Sequence, residues 1–227
     1  MNLLNMSPGG YFPFVSNDFS ERVQEYLELL KQWNKRINLT RLPEKSWWDS
    51  IVFESLALMK PVPIKIIKTS DDLWCDMGTG GGIPGMVLAV AMPYKSIALV
   101  DSRERKTDFL QYVKMKMNLR NVKVITARLE NETEMNINLG GKVSVFVSRA
   151  LSTPEQLCEY ASPFAEPESM LISPRSGTIN EKAVNFQLGN GISWSGRQSA
   201  LQVPGYGRNI LCLVVRKGKQ LACTESE

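Results

Sequence analysis

One stretch limits the fold more than any other: Leu73-Trp74-Cys75-Asp76-Met77-Gly78-Thr79-Gly80-Gly81-Gly82-Ile83-Pro84-Gly85. An apolar run ends in a carboxylate, a glycine-rich turn follows, and then an apolar, helix-like stretch. Glycine has no Cβ and tolerates positive φ, so such a turn lets a ligand approach the backbone closely. Strand, turn and helix in this order point to a nucleotide-type cofactor at the carboxyl end of a parallel sheet.

The rest of the chain fits that frame. Residues 1–17 carry Pro8, Gly9, Gly10 and Pro13 and read as irregular. Asp18 and Glu21 have capping-box spacing. Val23, Leu27, Leu30, Trp33 and Ile37 then recur at helical spacing, which predicts a helix to about Asn38. A second helix is predicted over 44–59, stopped by Pro61 and Pro63. From residue 72 strands and helices alternate, with strands near 72–77, 96–101, 122–126, 143–148 and 169–173. The matching helices fall near 83–92, 104–118, 154–164 and 179–188. Two strand-like runs, 192–203 and 209–216, flank Pro204-Gly205-Tyr206-Gly207. The expected fold is α/β and Rossmann-like, a mostly parallel seven-stranded sheet with helices on both faces. Residues 1–65 are expected to form a helical extension packed on a cofactor-binding core, 66–227, because they are too short to bury a core alone.

The 227 residues are 43% hydrophobic, which suffices for a substantial core, and the net charge of +4 is mild. Cys75, Cys158, Cys212 and Cys223 lack CxxC spacing, and three of them sit in apolar surroundings, as free buried thiols do. No metal site is expected. No secretory apolar region follows Met1 and no stretch is long enough to span a bilayer, so a cytoplasmic protein without membrane contact is expected. The chain has no histidine, which excludes Ser-His and Cys-His nucleophile mechanisms.

Gly80-Gly81-Gly82-Ile83-Pro84-Gly85 satisfies the dinucleotide fingerprint G-x-G-x-x-G. Asp76 argues against that ligand, because a carboxylate at the strand end would repel a pyrophosphate bound at the helix N-terminus. S-adenosylmethionine carries a sulfonium and an amino group and no phosphate, and suits Asp76 with the glycines better. A turn- or helix-capping role for Asp76 is the plain alternative. Asp101 ends the next strand, roughly 20 residues after the glycines, where a carboxylate accepts ribose hydroxyls; it could equally cap the following helix. Arg103, Arg105, Lys106, Lys114, Lys116, Arg120 and Lys123 are opposed within their span only by Glu104 and Asp108. Such a basic segment near a cofactor suits a phosphate-rich substrate, although a solvated helix face has the same composition.

The chain resembles the RsmG (GidB) family of small-subunit ribosomal RNA guanine-N7 methyltransferases. The resemblance is carried by Trp33-Asn34-Lys35-Arg36-Ile37-Asn38-Leu39-Thr40, Asp49-Ser50, the loop Asp76 to Gly85, Leu99-Val100-Asp101-Ser102 and Lys106 with Phe109-Leu110. It continues through Arg128-Leu129-Glu130 and Ser148-Arg149-Ala150, and covers most of residues 20–215. It implies a methyltransferase that uses S-adenosylmethionine, with cofactor contacts at Gly78, Ile83, Leu129, Glu130 and Arg149. Asp76, Gly80, Gly82 and Asp101 complete the expected cofactor set. Arg103, Arg105, Lys106, Arg149 and Arg175 are the expected RNA contacts, and 16S rRNA of the small subunit is the expected partner of a monomer. The chain departs from the family pattern at Ser46 and Asn209, near positions where histidine is common. It departs again at Pro174-Arg175-Ser176-Gly177, in place of Lys-Gly. Two other readings stay open: a methyltransferase acting on another RNA site or a small molecule, and a non-catalytic RNA- or ribosome-binding factor.

Overall fold

The computed structural model describes residues 10–69, 72–178, 180–189, 191–203 and 208–218. Its centre is an eight-stranded sheet. The strands are β1 (Leu73–Met77), β2 (Ser96–Asp101), β3 (Val122–Thr126), β4 (Val143–Val147), β5 (Ala165–Arg175), β6 (Lys182–Gln187), β7 (Ser193–Val203) and β8 (Arg208–Lys217). They lie in the order β3-β2-β1-β4-β5-β8-β7-β6. The first five pair in parallel and the last three join antiparallel. The order reverses between β1 and β4, and the crevice outside the carboxyl ends of these strands is where open α/β sheets bind ligands.

The pleat sends alternate β1 side chains to two cores. Trp74 belongs to the face covered by α1 (Phe19–Asn34), α4 (Gly85–Ala91) and α5 (Glu104–Lys116), whereas Cys75 and Met77 belong to the face covered by α6 (Glu132–Leu139) and α7 (Pro154–Ala161). α1 turns Val23, Tyr26, Leu27 and Leu30 inward at helical spacing. Phe12, Phe53 and Leu56 of the N-terminal segment share one core with Val87 and Leu88 of α4, so this segment and the sheet are packed as one body. The boundary expected at 65–66 falls inside α3 (Ile64–Lys68), an element that the sequence reading does not contain.

Several expectations are corrected. The sheet has eight strands rather than seven, because the helix expected at 179–188 is β6. Val184, Phe186 and Leu188 recur every second residue and pack on the α7 face together, a strand period rather than a helical one. α1 stops at Asn34 instead of about Asn38, where the Asn34 side chain bonds the backbone of Leu39 and Thr40. Asp18 makes no side-chain cap bond; it lies 3.9 Å from Arg22 in an i,i+4 ion pair. The expected 44–59 helix is a 3-10 turn (Glu44–Ser46), a π turn (Trp48–Phe53) and α2 (Glu54–Ala57). α6 is absent from the sequence reading. Cys75, Cys158 and Cys212 are buried free thiols, and burial pushes the pKa of the last two up to about 12. Cys223 and the 204–207 turn lie outside the described residues.

Trp194 of β7 ties the antiparallel strands to the parallel ones. It is fully buried, meets Phe146 of β4 edge-on at 6.4 Å, and donates from Nε1 to Ser162 Oγ at 2.8 Å. Trp194→Ala is expected to cost about 3–5 kcal/mol in chemical denaturation. A loss below about 1 kcal/mol would contradict a shared core.

Candidate active site

The glycine loop is built on Asp76. This carboxylate is fully buried, and its Oδ2 accepts from Thr79 Oγ1 at 2.6 Å and from the Gly85 N–H at 2.7 Å. The second bond occupies the first backbone N–H of α4, the place where a dinucleotide fold receives its pyrophosphate. Gly85 has no room for a side chain: a Cβ would lie 2.3 Å from Leu99 Cδ2 and 2.7 Å from Asp76 Cβ. Gly82 sits at φ +93, and a Cβ there would meet Met86 Cβ at 2.7 Å. Burial pushes the Asp76 carboxyl up to about 7, the two hydrogen bonds oppose that rise, and the nearby Asp101 charge adds to it.

Asp101 ends β2 and clamps the loop from the other side. Its Oδ2 accepts from Gly80 N–H and its Oδ1 from Arg103 N–H, both at 3.0 Å. Lys106, one turn into α5, brings Nζ to 3.6 Å from Asp101 Oδ2.

The segment after α1 forms the third wall. Asn34 Oδ1 accepts from Leu39 N–H and Thr40 N–H at 2.9 Å each, and Nδ2 donates to the Thr40 carbonyl at 3.0 Å. These three bonds end α1 and fold residues 35–40 back over the loop. Tyr26, buried and held well above its usual pKa by desolvation, donates its hydroxyl to the Gly81 carbonyl at 2.7 Å. Trp33 packs against Phe109 and Tyr112 of α5.

Together these elements enclose a cavity of about 700 Å³. Gly78, Gly80, Ile83, Asp101, Leu129, Glu130 and Arg149 of the expected cofactor set line it. Asp76 and Gly82, also in that set, lie beneath the loop and not among the lining residues; Asp76 Oδ2 is occupied by Thr79 and Gly85, whereas its buried Oδ1 has no hydrogen-bond partner among the described residues. Arg103 and Lys106, expected on the RNA, line this same cavity, whereas Arg105 is exposed and lines no described cavity. Glu130 accepts from the Tyr160 hydroxyl at 3.1 Å, and both line the wall. Leu39, Thr40 and Leu42 are wall residues that the sequence reading misses. The available signal is Asn34 inside W-N-x-x-I-N-L-T, a side chain suited to catching nearby backbone.

Ser148 Oγ donates to the Met77 carbonyl at 2.9 Å and joins the ends of β4 and β1. That places Arg149 at the cavity edge, where Nη1 donates to the Ser50 carbonyl at 2.5 Å and Nη2 lies 3.1 Å from Glu54 Oε2. A second cavity of about 580 Å³ shares Arg149, Ala150, Leu151 and Ser152 with the first and adds Arg175, Pro174 and Ser176. Of the departures from the family pattern, Pro174 therefore lines a cavity. Ser46 Oγ donates to the Pro43 carbonyl, and Asn209 pairs with Gln202 in the β7–β8 ladder.

A family model, rRNA small subunit methyltransferase G (GidB), matches residues 20–186. This chain belongs to that family. Ribosomal RNA small subunit methyltransferase G of Prochlorococcus marinus is 35% identical over 185 residues, covering 78% of this chain and 73% of the relative. The Francisella philomiragia protein of the same name is 34% identical over 165 residues, covering 71% and 73%. Two solved structures share the fold. One is the Bacillus cereus O-methyltransferase in complex with SAH (TM-score 0.53, 13% identity, 86% of this chain and 91% of that one). The other is a mutant of MtNAS in complex with S-adenosylmethionine (TM-score 0.52, 14% identity, 88% and 76%).

A member of the GidB family is a methyltransferase. The cavity fits S-adenosylmethionine, the donor expected from the sequence. Asp76 already fills the anion slot of α4, and the wall offers the Asp101 and Glu130 carboxylates to hydroxyl and amino groups. Among the described residues no group of three or more His, Cys, Asp or Glu is placed to hold a metal ion, and no helix is long and apolar enough to cross a membrane.

The raised Asp76 pKa makes stability depend on pH. The folded state holds the proton up to about pH 7, whereas an unfolded aspartate loses it near about 4. Ionisation of Asp76 therefore opposes folding, and its contribution to stability falls as pH rises through this window, by up to about 1.4 kcal/mol per unit. Asp76→Asn removes that slope. Denaturation of both proteins at pH 5 and pH 8 should show wild type losing stability relative to the variant at the higher pH; a pH-independent difference would contradict it.

Proposed function

We propose that this protein transfers the methyl group of S-adenosylmethionine to N7 of a guanine in 16S rRNA of the small ribosomal subunit. The observation that carries the choice of acceptor atom is the set of titratable groups around the cavity. The chain has no histidine. Asp101 is bonded to Gly80 and Arg103, Glu130 to Tyr160, and Asp76 is sealed beneath the loop. Both carboxylates lining the cavity, Asp101 and Glu130, thus already accept hydrogen bonds from the protein. Guanine N7 needs no general base, since it carries an exposed, unprotonated lone pair.

S-adenosylmethionine supplies an electrophilic methyl on a sulfonium. N7 forms a bond to the methyl carbon as the carbon–sulfur bond breaks and its electron pair returns to sulfur. No proton leaves, and the positive charge passes to the base. The protein's part is proximity and orientation. Gly78, Gly80 and Ile83 would shape the site of the donor. Asp101, with Lys106 beside its carboxylate, would accept from the ribose hydroxyls. Leu129 and Glu130 would hold the adenine end. Arg149, fixed by Ser50 and Glu54, orients the acceptor, and Arg103, Arg105 and Arg175 attract the RNA backbone. The relatives' shared name, ribosomal RNA small subunit methyltransferase G, supports the substrate. A cytoplasmic monomer is part of this proposal.

Incubation with labelled S-adenosylmethionine and small-subunit rRNA, followed by nuclease digestion and mass spectrometry, should yield N7-methylguanosine. Label found only on an exocyclic amine, on a ribose or on small molecules would overturn the proposal. Arg149→Ala should lower turnover by about 100-fold, as loss of orientation does. An unchanged rate would remove Arg149 from the site.

A further inference from the structure

The segment that follows α1 carries a row of cations along one wall of the donor cavity. Lys35, Arg36, Arg41 and Lys45 are all exposed. Thr40 and Leu42 line the cavity, so Arg41 between them stands on its rim. Glu44 is the only carboxylate from residue 35 to residue 48, and Lys31 engages it at 2.8 Å. The four cations make no ion pair among the described residues. Their backbone is held in place. Asn34 bonds residues 39 and 40, Thr40 Oγ1 accepts from Leu42 N–H at 3.2 Å, and Trp47 Nε1 donates to the Leu42 carbonyl at 2.9 Å. From a second element, the start of α5, Arg103 lines the same cavity and Arg105 is exposed.

We propose that Lys35, Arg36, Arg41 and Lys45 form a phosphate-binding ridge that holds the backbone of the substrate RNA beside the donor cavity. The inference rests on the rRNA reading above and adds a contact surface to it. Like charges crowded on one fixed segment repel one another, and a polyanion relieves that repulsion. Arginine forks match phosphate oxygens, and lysine binds them as a point charge. A fixed backbone means that little order has to be imposed when the RNA arrives. The substrate is then a stretch of RNA that reaches beyond the methylated nucleotide, and the N-terminal segment takes part in binding it.

Arg36→Ala/Arg41→Ala tests the ridge, with Arg120→Ala/Lys123→Ala as a control of equal charge. Arg120 precedes β3 and Lys123 is its second residue, at the amino end of the strands, whereas the cavity lies at their carboxyl ends. All four residues are exposed, so neither pair disturbs packing. Binding of small-subunit rRNA to the S-adenosylhomocysteine-loaded proteins is measured over a range of salt. The ridge pair should weaken binding by about tenfold or more and flatten the slope of log affinity against log salt by about 1.5, while the control pair leaves both as in wild type. Affinity for S-adenosylhomocysteine should not change, and at saturating rRNA kcat should stay within about twofold, so the loss falls on KM. Arg36→Lys/Arg41→Lys should keep most of the affinity. Wild-type affinity and slope in the ridge pair overturn the proposal. An equal loss in the control pair overturns it too, since overall charge rather than the ridge would then bind the RNA. So does a ridge pair that binds naked rRNA normally but fails on assembled subunits, which would indicate an acidic protein partner. Failure of the underlying reading looks different, because wild type would then form no N7-methylguanosine whatever its affinity for RNA.

Discussion

Asp76 and the N-terminus of α4 are the contact on which the rest of the site depends. A helix begins with unsatisfied N–H groups and a partial positive charge. In a dinucleotide fold the ligand's phosphates satisfy them. Here the protein does so itself, across 2.7 Å from Gly85 N to Asp76 Oδ2. The glycine at 85 follows from that approach, since a Cβ would collide with the carboxylate. The loop is closed to pyrophosphate before any ligand arrives, and its outer surface remains for a donor without phosphate.

The N-terminal segment is part of the same construction. Asn34 folds the chain back so that Leu39 and Thr40 become cavity wall, and Tyr26 holds Gly81 from beneath. Glu54 and Ser50 then hold Arg149 at the junction of the two cavities. Two sequence segments far apart, W-N-x-x-I-N-L-T and the glycine loop, therefore belong to one site because they touch.

Much of this is legible in the sequence. The parallel strands β1 to β4 and the helices α4, α5 and α7 announce themselves by long apolar runs and clear helical periods. The glycine loop and Asp101 stand out as site residues for chemical reasons, and Arg149 through the family resemblance. Asp76 stands out too: its charge suggests attraction of a cation, and the capping role that is its alternative is seen at Oδ2, while the buried Oδ1 has no partner among the described residues. β6 reads as helix because its three apolar residues form too short a pattern to fix the period, and its pairing with β7 is a long-range fact. Leu39 and Thr40 escape because their place depends on Asn34 capturing backbone, which no periodicity reports. Lys106 points to RNA by its charge alone, and its partner Asp101 places it inside the first cavity.

The protein's own carboxylate, and not a ligand phosphate, occupies the α4 terminus. Calorimetric titration of the purified protein with S-adenosylhomocysteine and, separately, with NADH is the decisive test. Saturable binding of S-adenosylhomocysteine and no binding of NADH are expected. Tight NADH binding that competes with S-adenosylhomocysteine would contradict it.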